Sequence, residues 1–207
     1  MQIIETFHKN IKIALIICTL GILFSELLFK LWLKIQFSPI SIRYLGDIPF
    51  NIFASLCTII PFGLTCKTKL GVSITWASFL SAAFDLDHFV AAGSFSLIDA
   101  ISLPHRPITH SFVIVFLFAV ISSLITRSKE IGVLSFFSLC SHLLRDVWNG
   151  ENIPFYPISL TSYHINYLLC LVLIISLPIL TLMCGLLVKR INISRFWFAD
   201  SESTKKY

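Results

Sequence analysis

Apolar runs that approach the length of a bilayer crossing follow one another along almost the whole chain, separated by short polar and basic segments. About 20 residues of helix cross the roughly 30 Å of hydrocarbon in a membrane. In that medium a backbone satisfies its own polar groups only as helix or closed barrel. The runs read as helical spans: Ile11 to Leu33, Asp47 to Cys66, Leu70 to Ala92, His110 to Thr126, Ile131 to Trp148 and Ile165 to Val188. Composition agrees, with 56% hydrophobic and 13% charged residues among 207. The expectation is an all-α integral membrane bundle of about six transmembrane helices, with residues 1–190 as one multi-pass domain and 191–207 as a polar C-terminal tail.

The first run has a basic lead, Lys9 and Lys12, like a secretory signal, but continues through Glu26 and Lys30 without a small-x-small cleavage site. It reads as a retained helix. Glu26 and Lys30 are four residues apart and read as an ion pair within it. The six cysteines are scattered through apolar segments with no CxxC pair, which reads as small buried apolar residues and leaves the redox compartment open. The net charge of +5 flanks the apolar runs and forms no basic stripe, so a nucleic-acid partner is not expected; the lipid bilayer is.

Orientation follows from the basic residues. With a cytosolic N-terminus, the inner segments hold eleven: Lys9, Lys12, Lys67, Lys69, Arg127, Lys129, Lys189, Arg190, Arg195, Lys205 and Lys206. The outer ends hold five, Lys30, Lys34, Arg43, Arg106 and Arg145. The positive-inside rule then places both termini in the cytosol, with the chain multi-pass in a membrane the sequence does not identify.

Against this apolar background three groups of carboxylates and imidazoles stand out. Asp85, Asp87 and His88 close one run; His105, Arg106 and His110 lie in the next loop; His142 and Asp146 close another run. An aspartate at mid-membrane costs about 2.5–3.5 kcal/mol or more and rarely persists there without a partner. Under the expected topology all three groups arrive at the outer face. At 1.5 Å per residue from Ile131, His142 lies roughly 17 Å and Asp146 roughly 23 Å along its helix, still within or at the edge of the hydrocarbon.

His142 and Asp146, four apart, project from one helix face, a spacing that suits one shared ion or equally a structural hydrogen bond. Asp85 and His88 share a face, whereas Asp87 points about 160° from Asp85 on an ideal helix. All three converge only if the helix unwinds near Phe84–His88, and Gly93 makes a helix end nearby plausible. Pro104 and Pro107 stiffen the loop between them. Arg106 there suits a phosphate oxygen, or a pairing with Asp99 or Asp146. Thr109 or Ser111 reads as the cap of the next helix. Gathered carboxylates and imidazoles resist ionisation together unless a cation offsets them. Mixed ligands of this kind suit a divalent metal ion, Zn, Mn or Fe, and a buried polar network is the alternative.

These residues carry a resemblance. Asp85-Leu86-Asp87-His88, His105-Arg106-Pro107-Ile108-Thr109-His110-Ser111 and Ser141-His142-Leu143-Leu144-Arg145-Asp146, followed by Gly150 and Pro154 or Pro157, resemble the D-x-D-H, H-R-x-x-T-H-S and H-x-x-x-D…G…P pattern of bacterial membrane-bound metal-dependent hydrolases regulated by the SOS repressor. Residues 81–157 more closely resemble the eukaryotic multi-pass transmembrane protein 267 family, including the run Asp87-His88-Phe89 followed by Ala92-Gly93-Ser94. Phe84 stands where the bacterial motif often has proline. The resemblance covers roughly the middle third of the chain and implies a hydrolase with Asp85, Asp87, His88, His110, His142 and Asp146 as metal ligands.

The leading expectation is a membrane protein with a metal site, a metal-dependent hydrolase of a lipid headgroup or other phosphoester. In that reading Arg106 steadies developing charge and His105 acts as acid or base. The alternative is a non-catalytic protein that keeps the Asp/His cluster as a structural or metal-binding core. A transporter would place ligands nearer the midplane on interrupted helices in matching halves, and no repeat is visible.

Overall fold

The computed structural model describes residues 2–34, 40–66, 70–104, 106–149 and 154–203. Among them the chain is helical: α1 Gln2–Leu33, α2 Ile40–Gly63, α3 Leu70–Ala83, a 3-10 turn Phe84–Leu86, α4 Asp87–Ala92, α5 Leu97–Ile101, α6 Phe112–Thr126, α7 Lys129–Asn149 and α8 Tyr167–Ser203. The long helices fall on the apolar runs. Two segments, Asn10–Trp32 and Tyr167–Lys189, are long and apolar enough to cross a membrane unaided, and Asp47–Gly63 and Phe112–Thr126 are shorter apolar helices.

The run expected as one span from Leu70 to Ala92 is divided. Helix α3 ends at Ala83, the 3-10 turn carries Asp85, and α4 stops at Gly93, whose φ of 60° is the left-handed conformation that glycine adopts without a Cβ penalty. Gly93 N–H donates to Val90 O at 3.1 Å and Ser94 N–H to Phe89 O at 3.2 Å, which closes the last turn. The residues expected to form a polar tail continue α8 as far as Ser203.

Helices α2 and α7 form the centre: α2 packs on α1, α3, α7 and α8, and α7 on α2, α3, α6 and α8. Beside an apolar core that includes Ile22, Phe29, Ile59, Phe62, Leu143 and Ile174, the bundle buries many small hydroxyl residues and exposes many large apolar ones. Ser55, Thr58, Ser73, Ser81, Ser135, Ser138, Ser141 and Thr181 are buried, whereas Ile16, Leu20, Phe24, Phe116, Ile121, Leu124 and Val172 are exposed. Small hydroxyl residues let helices approach closely and bond across the contact in a lipid solvent. Ser55 Oγ lies 2.6 Å from Ser138 Oγ, Trp76 Nε1 donates to Ser135 Oγ at 2.9 Å, and Thr181 Oγ1 to Thr58 O at 2.6 Å. The long helices alternate in direction. Late α1, early α2 and late α7 meet at one end through Glu26, Asp47 and Arg145, while the turn after α2 meets the middle of α8 away from that end through Cys66 and Gly185.

Candidate metal centre

Three parts of the chain supply the cluster. The buried helix α7 presents His142 and Asp146 one turn apart; the 3-10 turn and α4 supply Asp85, Asp87 and His88; and the segment before α6 supplies Arg106, Thr109 and His110. Ser111 fixes that last segment. Its Oγ accepts from Val113 N–H at 3.2 Å as the cap of α6 and donates to Tyr156 O at 2.7 Å, and Phe112 N–H reaches Pro154 O at 2.8 Å. The break of α3 at Phe84 turns Asp85 inward. The Phe84 ring lies against both imidazoles, 4.5 Å from that of His110 and 5.2 Å from that of His142, centre to centre.

Four donor atoms come together. His142 Nε2 lies 3.1 Å from Asp85 Oδ1 and 3.3 Å from Asp146 Oδ2; His110 Nε2 lies 3.6 Å from Asp85 Oδ1 and 3.2 Å from Asp146 Oδ2. Ligands about 2.0–2.1 Å from one tetrahedral ion stand about 3.3–3.4 Å apart, close to these four separations, and His110, His142 and Asp146 form one group within reach of a single ion. His88, with Asp85 and His110, forms a second group within reach of one ion. A polar interaction alone leaves this arrangement incomplete: His110 Nε2 and Asp146 Oδ2 are buried and make no hydrogen bond.

The surroundings aim the rings. Asp87 Oδ2 accepts from His110 Nδ1 at 3.0 Å and from Thr109 Oγ1, and His88 Nδ1 donates to the Ala100 carbonyl at 3.1 Å. With the proton on Nδ1, each imidazole offers the lone pair of its Nε2, the arrangement by which a carboxylate or carbonyl behind a histidine orients it toward a metal. The His110 lone pair then faces carboxylate oxygens, acceptor against acceptor. A positive charge between them resolves the repulsion, either a metal ion or a second proton on the imidazole.

Of the expected site residues, Asp85, His88, His110, His142 and Asp146 converge. Asp87 stands behind His110, with Oδ1 buried and without a hydrogen bond. Arg106 Nη2 lies 3.1 Å from Asp146 Oδ1, the pairing with Asp146 that was one of its open alternatives. His105 and Gly150 lie outside the described residues.

A second buried charge group sits beside the first. Arg145 Nε lies 2.8 Å from Glu26 Oε1, its Nη2 lies 3.1 Å from Asp47 Oδ1, its Nη1 donates to Asn51 Oδ1, and the guanidinium lies 4.3 Å over the Phe29 ring. This corrects the expected Glu26–Lys30 pair. Glu26 is buried and turns to the guanidinium inside the bundle, while Lys30 uses its long stem to reach the Tyr167 ring at 3.6 Å. Sequence reading missed Glu26, Asp47 and Asn51 as one group. The available signal was a charge in each of three apolar runs. Across this end, the carboxylates of Glu26, Asp47, Asp85, Asp87 and Asp146 meet the guanidinium groups of Arg106 and Arg145.

Comparison with known proteins bears on these residues directly. The family described as YdjM inner membrane protein matches residues 51–201, more than half of the chain and every member of the Asp/His cluster. The chain is 36% identical over 111 residues to transmembrane protein 267 of Bos taurus, covering 52% of this chain and 43% of that protein. It is 35% identical over 94 residues to transmembrane protein 267 of Danio rerio, covering 42% of each. The match thus spans less than half the length of these curated relatives. No solved structure matches.

Proposed function

The chain belongs to the YdjM inner membrane protein family, and from that premise we propose that it is a membrane-bound metal-dependent hydrolase of a lipid headgroup or other phosphoester. In this reading six helices span the bilayer, both termini are cytosolic, and the cluster lies at the extracytosolic face. The observation that carries it is the convergence of His110 Nε2, His142 Nε2 and Asp146 Oδ2, with His110 Nε2 buried 3.2 Å from Asp146 Oδ2 and making no hydrogen bond.

His110, His142 and Asp146 would hold one ion, and Asp85 and His88, which group with His110, would complete its shell or help to hold a second. A bound divalent ion would act as a Lewis acid on a phosphoryl oxygen and lower the pKa of water at the site. The protein's own groups do the rest. Asp87 keeps the His110 proton on Nδ1, and Ala100 does the same for His88. Arg106 pairs with Asp146 at rest and would stabilise negative charge that develops on a phosphoryl group. His105 is assigned as general acid or base from its place beside Arg106 in the sequence. Phe84 and the buried α7 exclude water from the back of the cluster.

A second reading, a non-catalytic polar core, draws on one contact: His142 Nε2 also sits at hydrogen-bond distance from Asp85 Oδ1, 3.1 Å. Metal analysis of detergent-purified protein separates the two. A hydrolase should retain a divalent transition metal whose occupancy falls in His142→Ala and Asp146→Ala and holds in Ser111→Ala, a helix cap. Arg106→Ala and His105→Ala should then keep the metal and lose phosphoester turnover, by about 10²–10⁴-fold for an acid or base. Equal metal content in wild type and both ligand variants leaves the polar core.

A further inference from the structure

The covering segment over the cluster is built inside out. Its inner side is polar: Asp87 holds His110, and His88 holds the carbonyl of Ala100, itself buried. Its outer side carries large apolar side chains with two polar ones among them, the exposed Ser96 and Asp99, and Asp99 accepts from Ser94 Oγ at 2.6 Å. Leu86, Val90, Phe95 and Ile98 are exposed, Val90 at 82% and Phe95 completely. The row extends one from α3, where Val72 and Phe79 are exposed at intervals of seven residues before Leu86. Apolar exposure on α3 is thus followed, across the 3-10 turn, by apolar exposure on α4.

The rest of the rim repeats the pattern. Ile108 in the segment before α6 is exposed, as are Ile158, at 81%, and Leu160 in the segment between α7 and α8, which Ser111 and Phe112 tie to the cluster. Exposed apolar patches of this extent are rare on surfaces that face water. Amphipathic helices lie in the plane of the bilayer interface with the apolar face toward the acyl chains. Because the row on α3 faces the same way as the apolar surfaces of a membrane protein, its occupant is lipid.

We propose that the rim formed by Leu86, Val90, Phe95, Ile98 and Ile158 is sunk in the bilayer among lipid acyl chains, so that the cluster takes an amphiphile from the plane of the membrane. The second half of this statement rests on the hydrolase reading above; the first half does not. An amphiphile would keep its chain beside the rim while its polar head reaches Asp85, His110 and Arg106, with no need to leave the bilayer.

The environment-sensitive amino acid Anap, excited away from tryptophan, placed in turn at Phe95, Ile98 and, as a control, Lys129 tests the surface. The full chain is reconstituted in phosphatidylcholine/phosphatidylglycerol vesicles. Fluorescence at 95 and 98 should be quenched by acyl-chain-brominated phosphatidylcholine and spared by aqueous iodide, with the reverse at 129. Quenching of 95 and 98 by iodide alone would show a rim in water and overturn the proposal. Quenching by neither would show a rim covered by protein and overturn it too. For the substrate, Phe95→Asp and Ile98→Asp should lower turnover of a phosphoester carried on a vesicle lipid and leave that of soluble p-nitrophenyl phosphate unchanged. Equal effects on both substrates would overturn entry from the membrane plane. Absence of any turnover in metal-loaded protein would sink the hydrolase reading and leave the quenching result standing.

Discussion

His110 is held from both sides, its Nδ1 by Asp87 and its Nε2 facing Asp85 and Asp146. The role of Asp87 can therefore be separated from that of a ligand. Asp87→Asn keeps the shape and an oxygen to accept the Nδ1 proton but removes the charge behind the ring. Loss of such a partner typically lowers metal affinity about 10–100-fold. Competition against a chelating dye should show a drop of that size, with thermal stability of the metal-free protein nearly unchanged. A loss as complete as that of His142→Ala would instead make Asp87 a direct ligand, and an unchanged affinity would remove it from the site. The His142/Asp146 pair was legible in the sequence because helix periodicity alone places residues four apart on one face. Asp87 behind His110, and Glu26 with Arg145, were not, because they join segments far apart in sequence. Local spacing offered Glu26 a nearer partner in Lys30, and burial overrode it.

At the level of elements, hydropathy located the long helices, and the need for Asp85 and Asp87 to meet near one point signalled the break at Phe84–Leu86. The five-residue α5 was not legible, since Leu97–Ile101 is too short to show a period. The cap at Ser111 was. The tight hairpin of α6 and α7 depends on a glycine that no motif marks. A Cβ on Gly132 would lie 2.7 Å from Ser123 Cβ and 3.0 Å from the Ala119 carbonyl, while one on Gly71 meets nothing within 4 Å. Because α7 carries His142 and Asp146, a wedge at its start disturbs the helix that aims the cluster. Gly132→Val should lower the thermal midpoint in detergent by the equivalent of about 1–3 kcal/mol, the usual effect of overpacking. Gly71→Ala should stay within about 0.5 kcal/mol of wild type, as a surface change does. Equal midpoints for the two variants would mean that α6 and α7 are not packed this closely.

On the scale of the whole molecule, the alternating helices carry the N-terminal start of α1 and the C-terminal part of α8 to the end opposite the cluster. Of the basic residues at the cluster end, Arg106 and Arg145 are consumed by buried carboxylates and Lys30 lies on the Tyr167 ring. The eleven-to-five bias of basic residues favours the opposite end as the cytosolic one. The termini are predicted to be cytosolic and the cluster extracytosolic. A fluorescent protein fused after Tyr207 should fluoresce, and alkaline phosphatase fused at the same place should remain silent. Asn192, the asparagine of the chain's single N-x-S/T sequon, should carry no glycan when the protein is made in a eukaryotic membrane. An active phosphatase fusion together with a glycan on Asn192 would reverse the orientation. The Asp/His cluster and its apolar rim would then belong to the cytosolic leaflet, where the substrate would have to be sought.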